Sequence, residues 1–261
     1  MEIIVCIKQV PDTTKVKIDP ETNTLIREGV DSIINPFDLY AIEEGVRLCE
    51  KYGGTVKILT MGPPQAEEAL REAISLGADA GYLITDRAFA GADTWATSYT
   101  LAAAIRKMVD FDLILCGKQA IDGDTAQVGP SLAEQLDIPY AAFARNIREV
   151  SEKELVLERT FEEGYEVVRM PLPGLMTVVK EINEPRIASL KGKMKAKKSE
   201  IVKFGRSDLD VEDVHIGLDG SPTRVVKIFS PDLKRAGEKW DGEPVELASK
   251  LVDALRETKV I

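Results

Sequence analysis

The chain has 261 residues, a formal net charge of -10, and 44% hydrophobic and 30% charged residues. That is the composition of an ordinary soluble globular protein, long enough for one large domain with an extension or for two unequal domains. The acidic balance argues against a nucleic-acid-binding surface as the main function, and no apolar run is long enough to cross a bilayer. The N-terminal residues lack the charged segment and cleavage site of a signal peptide and go directly into a strand pattern, so the expected location is cytoplasmic. Cys6, Cys49 and Cys116 lie far apart in apolar patterns and read as buried, reduced thiols. His215 is the single histidine, so a histidine triad or a multi-histidine metal site is excluded, and no metal site is expected.

In chain order, residues 2–10 read as a first, nearly all-apolar strand stopped by Pro11-Asp12. Residues 13–34 alternate weakly around the turn cluster 19–23 and suggest an exposed hairpin. Asn35-Pro36-Phe37-Asp38 is a helix start, with Asn as N-cap and Pro at the first helical position. The helix continues through Leu39, Ile42, Val46 and Cys49 to Gly53-Gly54. A strand over 55–60, a helix over 65–76 and a strand over 80–85 follow. The loop 86–94 then leads into a helix over 95–108. Its small residues Ala88, Ala90 and Gly91 would let a flat ligand lie close, while Asp93 or Thr94 caps the helix; on the local pattern alone a plain capped loop is the better reading.

Asp112–Cys116 is the fourth strand. It opens into the stretch Gly117-Lys118-Gln119-Ala120-Ile121-Asp122-Gly123-Asp124-Thr125-Ala126-Gln127-Val128-Gly129-Pro130, ahead of a helix over 131–136. Such strand-to-helix loops sit at the carboxyl ends of a parallel sheet, where ligands bind, and N–H groups at a helix start hold phosphate. The spacing matches neither the Walker nor the Rossmann fingerprint, so a polar loop without a ligand stays open. The alternation of strand and helix to residue 136 predicts a doubly wound parallel α/β sheet. Beyond Pro139, strands over 147–150, 155–160, 166–170 and 176–180 are expected to extend it in antiparallel fashion. The basic run around Leu190 and Lys191–Lys198 fits either a solvated helix face or a docking surface for an acidic partner. Val225–Phe229 is a possible last strand. The helix from Pro244 to about Glu257 carries Leu247, Leu251 and Leu255 on one stripe, suited to another subunit or to its own domain. Two units are expected, residues 1–233 and a C-terminal arm, 234–261.

The stretches Val5-Cys6-Ile7-Lys8-Gln9-Val10-Pro11-Asp12, Asn35-Pro36-Phe37, Gly117-Lys118-Gln119-Ala120-Ile121-Asp122, Asn183-Glu184-Pro185-Arg186, and Leu190 followed by Met194-Lys195-Ala196-Lys197-Lys198 together resemble the beta subunit of electron-transfer flavoproteins. The resemblance implies a fold akin to the adenine-nucleotide-binding (HUP/USP-like) α/β family and an obligate heterodimer with an alpha subunit that carries FAD. It places an AMP pocket at Cys6, residues 35–38 (Asn35, Phe37 and Asp38 among them), Met61 and the loop 123–134, with Gln119, Asp122, Gly123, Asp124, Thr125, Ala126, Gln127, Val128 and Gly129 as cofactor-binding residues. It also implies a recognition loop over 187–198, with Leu190 as anchor and Met194, Lys195, Lys197 and Lys198 beside it, docking an acyl-CoA dehydrogenase-type partner. Glu166 matches a residue thought to control the mobility of the alpha-subunit flavin domain, and the tail helix would wrap the alpha subunit.

The loops 86–97 and 122–130 differ from the family's ordinary form and look like the flavin-bifurcating subgroup. There a second FAD replaces AMP, with its ring against Ala88, Phe89, Ala90, Gly91, Asp93, Thr94 and Thr97. NADH would then be the hydride donor, and ferredoxin and a partner dehydrogenase or reductase the acceptors. The alternative is an ordinary carrier with structural AMP. A nucleotide-binding stress-type sensor of the same fold is a third reading, opposed by the docking patch and tail helix.

Overall fold

The structure, a computed structural model, describes residues 1–12, 17–18, 25–26, 32–108, 110–226 and 237–261. In chain order the first elements are β1 (Glu2–Cys6), β2 (Gln9–Pro11), β3 (Lys17–Ile18), β4 (Leu25–Ile26), β5 (Ser32–Ile34), α1 (Pro36–Tyr52), β6 (Thr55–Met61), α2 (Glu67–Ser75) and β7 (Ala80–Ile84). Then come α3 (Thr94–Lys107), β8 (Leu113–Gly117), α4 (Val128–Leu136), β9 (Tyr140–Val150), β10 (Glu154–Phe161), β11 (Gly164–Pro171), β12 (Gly174–Val178), α5 (Leu190–Lys198), β13 (Ile201–Phe204) and α6 (Pro244–Glu257).

One sheet organises the first compact unit, Met1–Lys227, in the order β11–β10–β9–β12–β8–β1–β6–β7–β13. From β9 to β13 every neighbouring pair is parallel, and β10 and β11 extend the sheet as antiparallel strands. The pleat sends alternate residues to opposite faces. Ile3 and Val5 join the core beneath α1 and α2, whereas Ile4 and Cys6 join the core beneath α3 and α4. This is the doubly wound α/β arrangement expected from the alternating pattern. The chain goes from β1 to β6 on one side and reaches β8 on the other, so the strand order reverses between β1 and β8. Loops diverge at that point, and a crevice opens at the carboxyl ends of the two strands.

Some elements differ from expectation. The first strand leaves the sheet after Cys6, and residues 9–11 pair with β5 in a separate two-stranded ribbon. The Lys8 N–H is bonded instead to Asp38 Oδ2 at 2.7 Å. The strand expected over 176–180 is β12, and it is parallel, inserted between β8 and β9. All five of its residues are buried, as an interior parallel strand requires. β9 begins at Tyr140 rather than residue 147. The edge strand β13 had no expectation, because it is only four residues long with Val202 and Lys203 exposed. β3 and β4 pair antiparallel, as a hairpin would, but its turn cluster lies outside the described residues. Val225 and Val226 form no strand, and the rest of that expected strand also lies outside them.

The second unit, Ile228–Ile261, contains α6. Within it the Trp240 Nε1–H donates to Glu238 Oε2 at 2.6 Å, and Lys250 Nζ lies 4.5 Å from the Trp240 ring centroid. No residue of α6 is buried. Among the described residues no helix is long and apolar enough to cross a membrane.

Candidate functional site at the carboxyl edge of the sheet

Two side chains at the start of α1 stitch the crevice together. Asp38 is buried and receives the Lys8 N–H beyond β1 on Oδ2 at 2.7 Å and the Gly117 N–H at the tip of β8 on Oδ1 at 3.2 Å. Burial pushes its carboxyl up to about 7, while the N–H groups of Lys8 and Gly117 and the Asn35 side chain oppose that rise. A Cβ on Gly117 would lie 2.3 Å from Asp38 Oδ1, so only glycine admits the carboxylate here. Asn35, 1% exposed, donates its amide to the Gln119 carbonyl at 2.8 Å and accepts the Ile121 N–H at 3.1 Å. Across the mouth, Lys8 Nζ pairs with Asp122 at 2.8 Å, an exposed contact of small energetic weight. Both anchors explain why the Asn-Pro-Phe-Asp helix start carries polar residues where solvent does not reach.

The loop so held turns sharply. Asp124 and Ala126 have φ of 53° and 54°, in the left-handed region that non-glycine residues rarely adopt. The N–H of Asp124 returns to the Ala120 carbonyl at 2.8 Å. Those of Gly123, Thr125, Ala126 and Gln127 donate to no group among the described residues. A Cβ on Gly129 would lie 2.5 Å from Thr177 Cγ2, so glycine seats the first turn of α4 on β12. Cys6 and Cys116 are register partners at the ends of β1 and β8, both buried. The hydrogen bond that the Cys116 thiol makes with Cys6, followed by burial, raises it well above its ordinary range. Phe37 and Met61 are half-buried at the same edge.

The second loop, after β7, leads to α3, which packs beside α4 on the same face of the sheet. Asp93 caps α3 by accepting from Trp95 N and Ala96 N, each at 3.0 Å. Its other oxygen accepts from Thr223 N at 2.9 Å and Thr223 Oγ1 at 2.8 Å. Residues 216–223 therefore strap this loop. A Cβ on Gly91 would lie 3.1 Å from Leu218 Cβ, and one on Gly217 would lie 2.2 Å from the Ala88 carbonyl oxygen. Phe89 turns into the core, while Ala88, Ala90 and Gly91 stay exposed. Ser98 and Thr100 bond back to their own helix, but the Thr94 and Thr97 hydroxyls make no hydrogen bond among the described residues. Sequence reasoning missed the strap and Thr177, and gave Lys8 and Gly117 no role of their own at the site. The strap has no periodic signal, and Thr177 acts only through a pairing of distant strands. The His215 ring is half-exposed and edge-on to Trp95 and Tyr99, at 5.4 and 5.3 Å between centroids.

The remaining residues singled out from sequence lie elsewhere. α5 packs on α2 through buried Ala196, and Arg71 donates to the Ala196 carbonyl at 2.7 Å. Leu190 is 77% exposed and Met194 54% exposed, with Lys191, Lys195 and Lys198 around the same shallow hollow. Lys195 is tied to Asp79 at 3.1 Å; Lys197 and Lys198 are exposed. Asn183 and Arg186 clamp the approach to α5 onto α1. Arg186 meets Glu43 at 2.8 Å and Glu50 at 2.6 Å, and Asn183 Nδ2 meets Glu44 at 3.0 Å. Glu166, on β11, sits 2.9 Å from Arg159 Nε on β10.

A doubly wound sheet with a pinned crevice at its switch point defines the architectural class. Residues 22–209 match the electron transfer flavoprotein domain, and the chain belongs to the electron-transfer flavoprotein family. Its relatives place it among the beta subunits, which act in electron transfer and pair with an alpha subunit. It is 52% identical over 262 residues to the electron transfer flavoprotein subunit beta of Thermoanaerobacterium thermosaccharolyticum, covering 100% of both chains. It is 49% identical over 263 residues to the caffeyl-CoA reductase-Etf complex subunit CarD of Acetobacterium woodii, again covering 100% of both. Protein FixA of Azotobacter vinelandii is 47% identical over 258 residues, 95% of this chain and 92% of that one.

The open N–H groups of residues 125–127 are neutral donors of the kind that can receive an anionic group. Gly123, with nothing within 4 Å of a Cβ position, allows close approach of a ligand.

Proposed function

We propose that this subunit holds FAD at the crevice and takes part in flavin-based electron bifurcation. In this reading NADH is the hydride donor. One electron passes to ferredoxin, and the other passes through the alpha-subunit FAD to a dehydrogenase or reductase. The observation that carries it is the pairing of two loops on one face. Residues 123–127 offer open backbone donors, and the start of α3 offers small residues and the free hydroxyls of Thr94 and Thr97. Together they suit a ligand with an adenylate half and a flat ring.

The flavin supplies the two-electron and one-electron chemistry when bound. The chain's part is to bind, orient and tune. The loop 123–129 takes the phosphates, Asn35 and Asp38 keep that loop in place, and Thr94 and Thr97 donate toward the ring's polar edge. The likeness to a caffeyl-CoA reductase-Etf subunit supports a CoA-ester dehydrogenase or reductase as partner, docking at Leu190, Met194, Lys195, Lys197 and Lys198. The tail unit serves as the arm toward the alpha subunit, Glu166 acts in gating its flavin domain, and the working location is the cytoplasm.

One observation favours the ordinary carrier with AMP. Leu218 lies against Gly91 and covers part of the small-residue loop. Co-purification with the alpha partner and extraction of nucleotides separates the two. Two FAD and no AMP per heterodimer is the expected result; one FAD and one AMP would overturn the bifurcating reading.

A further inference from the structure

Lys118 stands at the tip of β8, where its N–H donates to the Val178 carbonyl at 2.9 Å. It is half-buried, and among the described residues it has no carboxylate partner, unlike Lys8 across the crevice, which Asp122 holds at 2.8 Å. Its ammonium instead lies 5.4 Å from the centroid of the Phe143 ring, within the range of a cation–π contact.

Phe143 is placed there by an irregularity in β9. The register with β12 slips between Met176 and Val178, whose partners are Ala141 and Ala144. Phe143 itself adopts φ 62°, an outlier for a bulky side chain. Its N–H is taken by Thr177 Oγ1 at 2.9 Å, and Thr177 is 2% exposed. The same threonine's methyl underlies Gly129 at the start of α4. Bulges re-aim side chains beside functional sites, and this one sets an aromatic face beneath an unneutralised lysine at the crevice rim.

We infer that Lys118, positioned by Phe143, is a cation that contacts the phosphate of the nucleotide bound in this crevice. The inference rests on the reading under Proposed function that a phosphorylated adenine nucleotide binds here. In a chain of net charge -10, a lysine left without a carboxylate suits an anionic ligand, and Lys8, already paired, contributes less.

The test is titration of AMP, FAD and adenosine into the dialysed heterodimer carrying wild-type chain, Lys118→Gln, Lys118→Arg, Lys8→Gln, Phe143→Leu or Phe143→Trp. Lys118→Gln should weaken AMP and FAD by about tenfold, on the scale of a charge-assisted hydrogen bond, and leave adenosine unchanged. It should also flatten the fall of affinity with salt, while Lys118→Arg retains binding. Phe143→Leu should lose affinity in the same phosphate-dependent way and Phe143→Trp should restore it; Lys8→Gln should have the smaller effect. Equal losses for AMP and adenosine, or no loss in Lys118→Gln, overturn the assignment and leave the nucleotide reading standing. A wild-type heterodimer in which this chain binds neither AMP nor FAD overturns both.

Discussion

Asn35 and Gln119 meet at 2.8 Å, the side-chain amide of one donating to the backbone carbonyl of the other across the switch point of the sheet. With the Ile121 N–H on its oxygen, Asn35 uses both ends of its amide to fix the loop that leaves β8. Asn35→Ala leaves a carbonyl and an N–H without partners, a cost of about 1–3 kcal/mol. A domain of this size should melt lower by about 2–4 °C for each kcal/mol lost. Nucleotide content per heterodimer should fall with it. Full retention of nucleotide in the variant would show that the loop holds its shape without Asn35.

Asp38 predicts a pH dependence. Burial, the largest influence, raises its carboxyl from the ordinary 3.8 to about 7 in the folded chain. Between about pH 4 and 7 the native state therefore binds a proton that the unfolded state releases, and stability from this group declines as pH rises through that window. Asp38→Asn cannot titrate. It also sets an NH2 group against one of the two N–H donors from Lys8 and Gly117, so it should be less stable throughout. The quantity to follow is the melting temperature of wild type minus variant. It should decrease from pH 4 to 7 and level off above; a flat or rising difference would remove Asp38 as the responsible group.

How far this arrangement was readable from sequence depends on the range of the interactions. The strand–helix alternation to residue 136 is local, set by apolar runs and by punctuation such as Asn35-Pro36 and Gly53-Gly54, and the sheet follows from it. The crevice could be expected, because the polar stretch after Cys116 must lie at a carboxyl strand end. Its fastening was not readable. Nothing near Asp38 in sequence announces that Gly117, 79 positions away, will donate to it. The same holds for β12. Gly174–Val178 is apolar and fully buried, which marks an interior strand, yet its insertion between β8 and β9 is a property of the whole chain path. The strap over 216–223 is legible only afterwards, since Gly217 and Ser221 look like ordinary turn residues until Ala88 and Asp93 are seen beneath them.

The docking proposed for α5 yields a prediction that separates partner contact from folding. Leu190 is 77% exposed, and Ser189 caps the helix it begins by accepting from Gly192 N at 3.0 Å. Leu190→Ala therefore removes exposed apolar surface while Ser189, Ala196 and the Arg71 contact stay in place. Flavin content and melting temperature should be unchanged, and electron delivery to the CoA-ester dehydrogenase or reductase should fall by about tenfold or more, the scale of an interface anchor. Delivery at the wild-type rate would exclude Leu190 as that anchor.

Gly129 and Thr177 give the sharpest steric test of how the crevice is built. A Cβ at position 129 would come within 2.5 Å of the Thr177 methyl, and that methyl belongs to a buried, β-branched side chain with little freedom to turn away. Rotating it is opposed further, because the Thr177 hydroxyl receives the Phe143 N–H at 2.9 Å. Gly129→Ala should thus cost about 1–3 kcal/mol through overpacking and lift the first turn of α4 away from β12, with loss of bound nucleotide. Thr177→Ser keeps the hydroxyl for Phe143 and deletes the methyl, leaving only a small cavity. If the clash is the cause, the double variant should be more stable than the sum of the single losses predicts, since the two side chains share one space. Chemical denaturation of the four forms measures that coupling. Additive losses would mean that the cost of alanine at 129 lies in the helix backbone and not against Thr177.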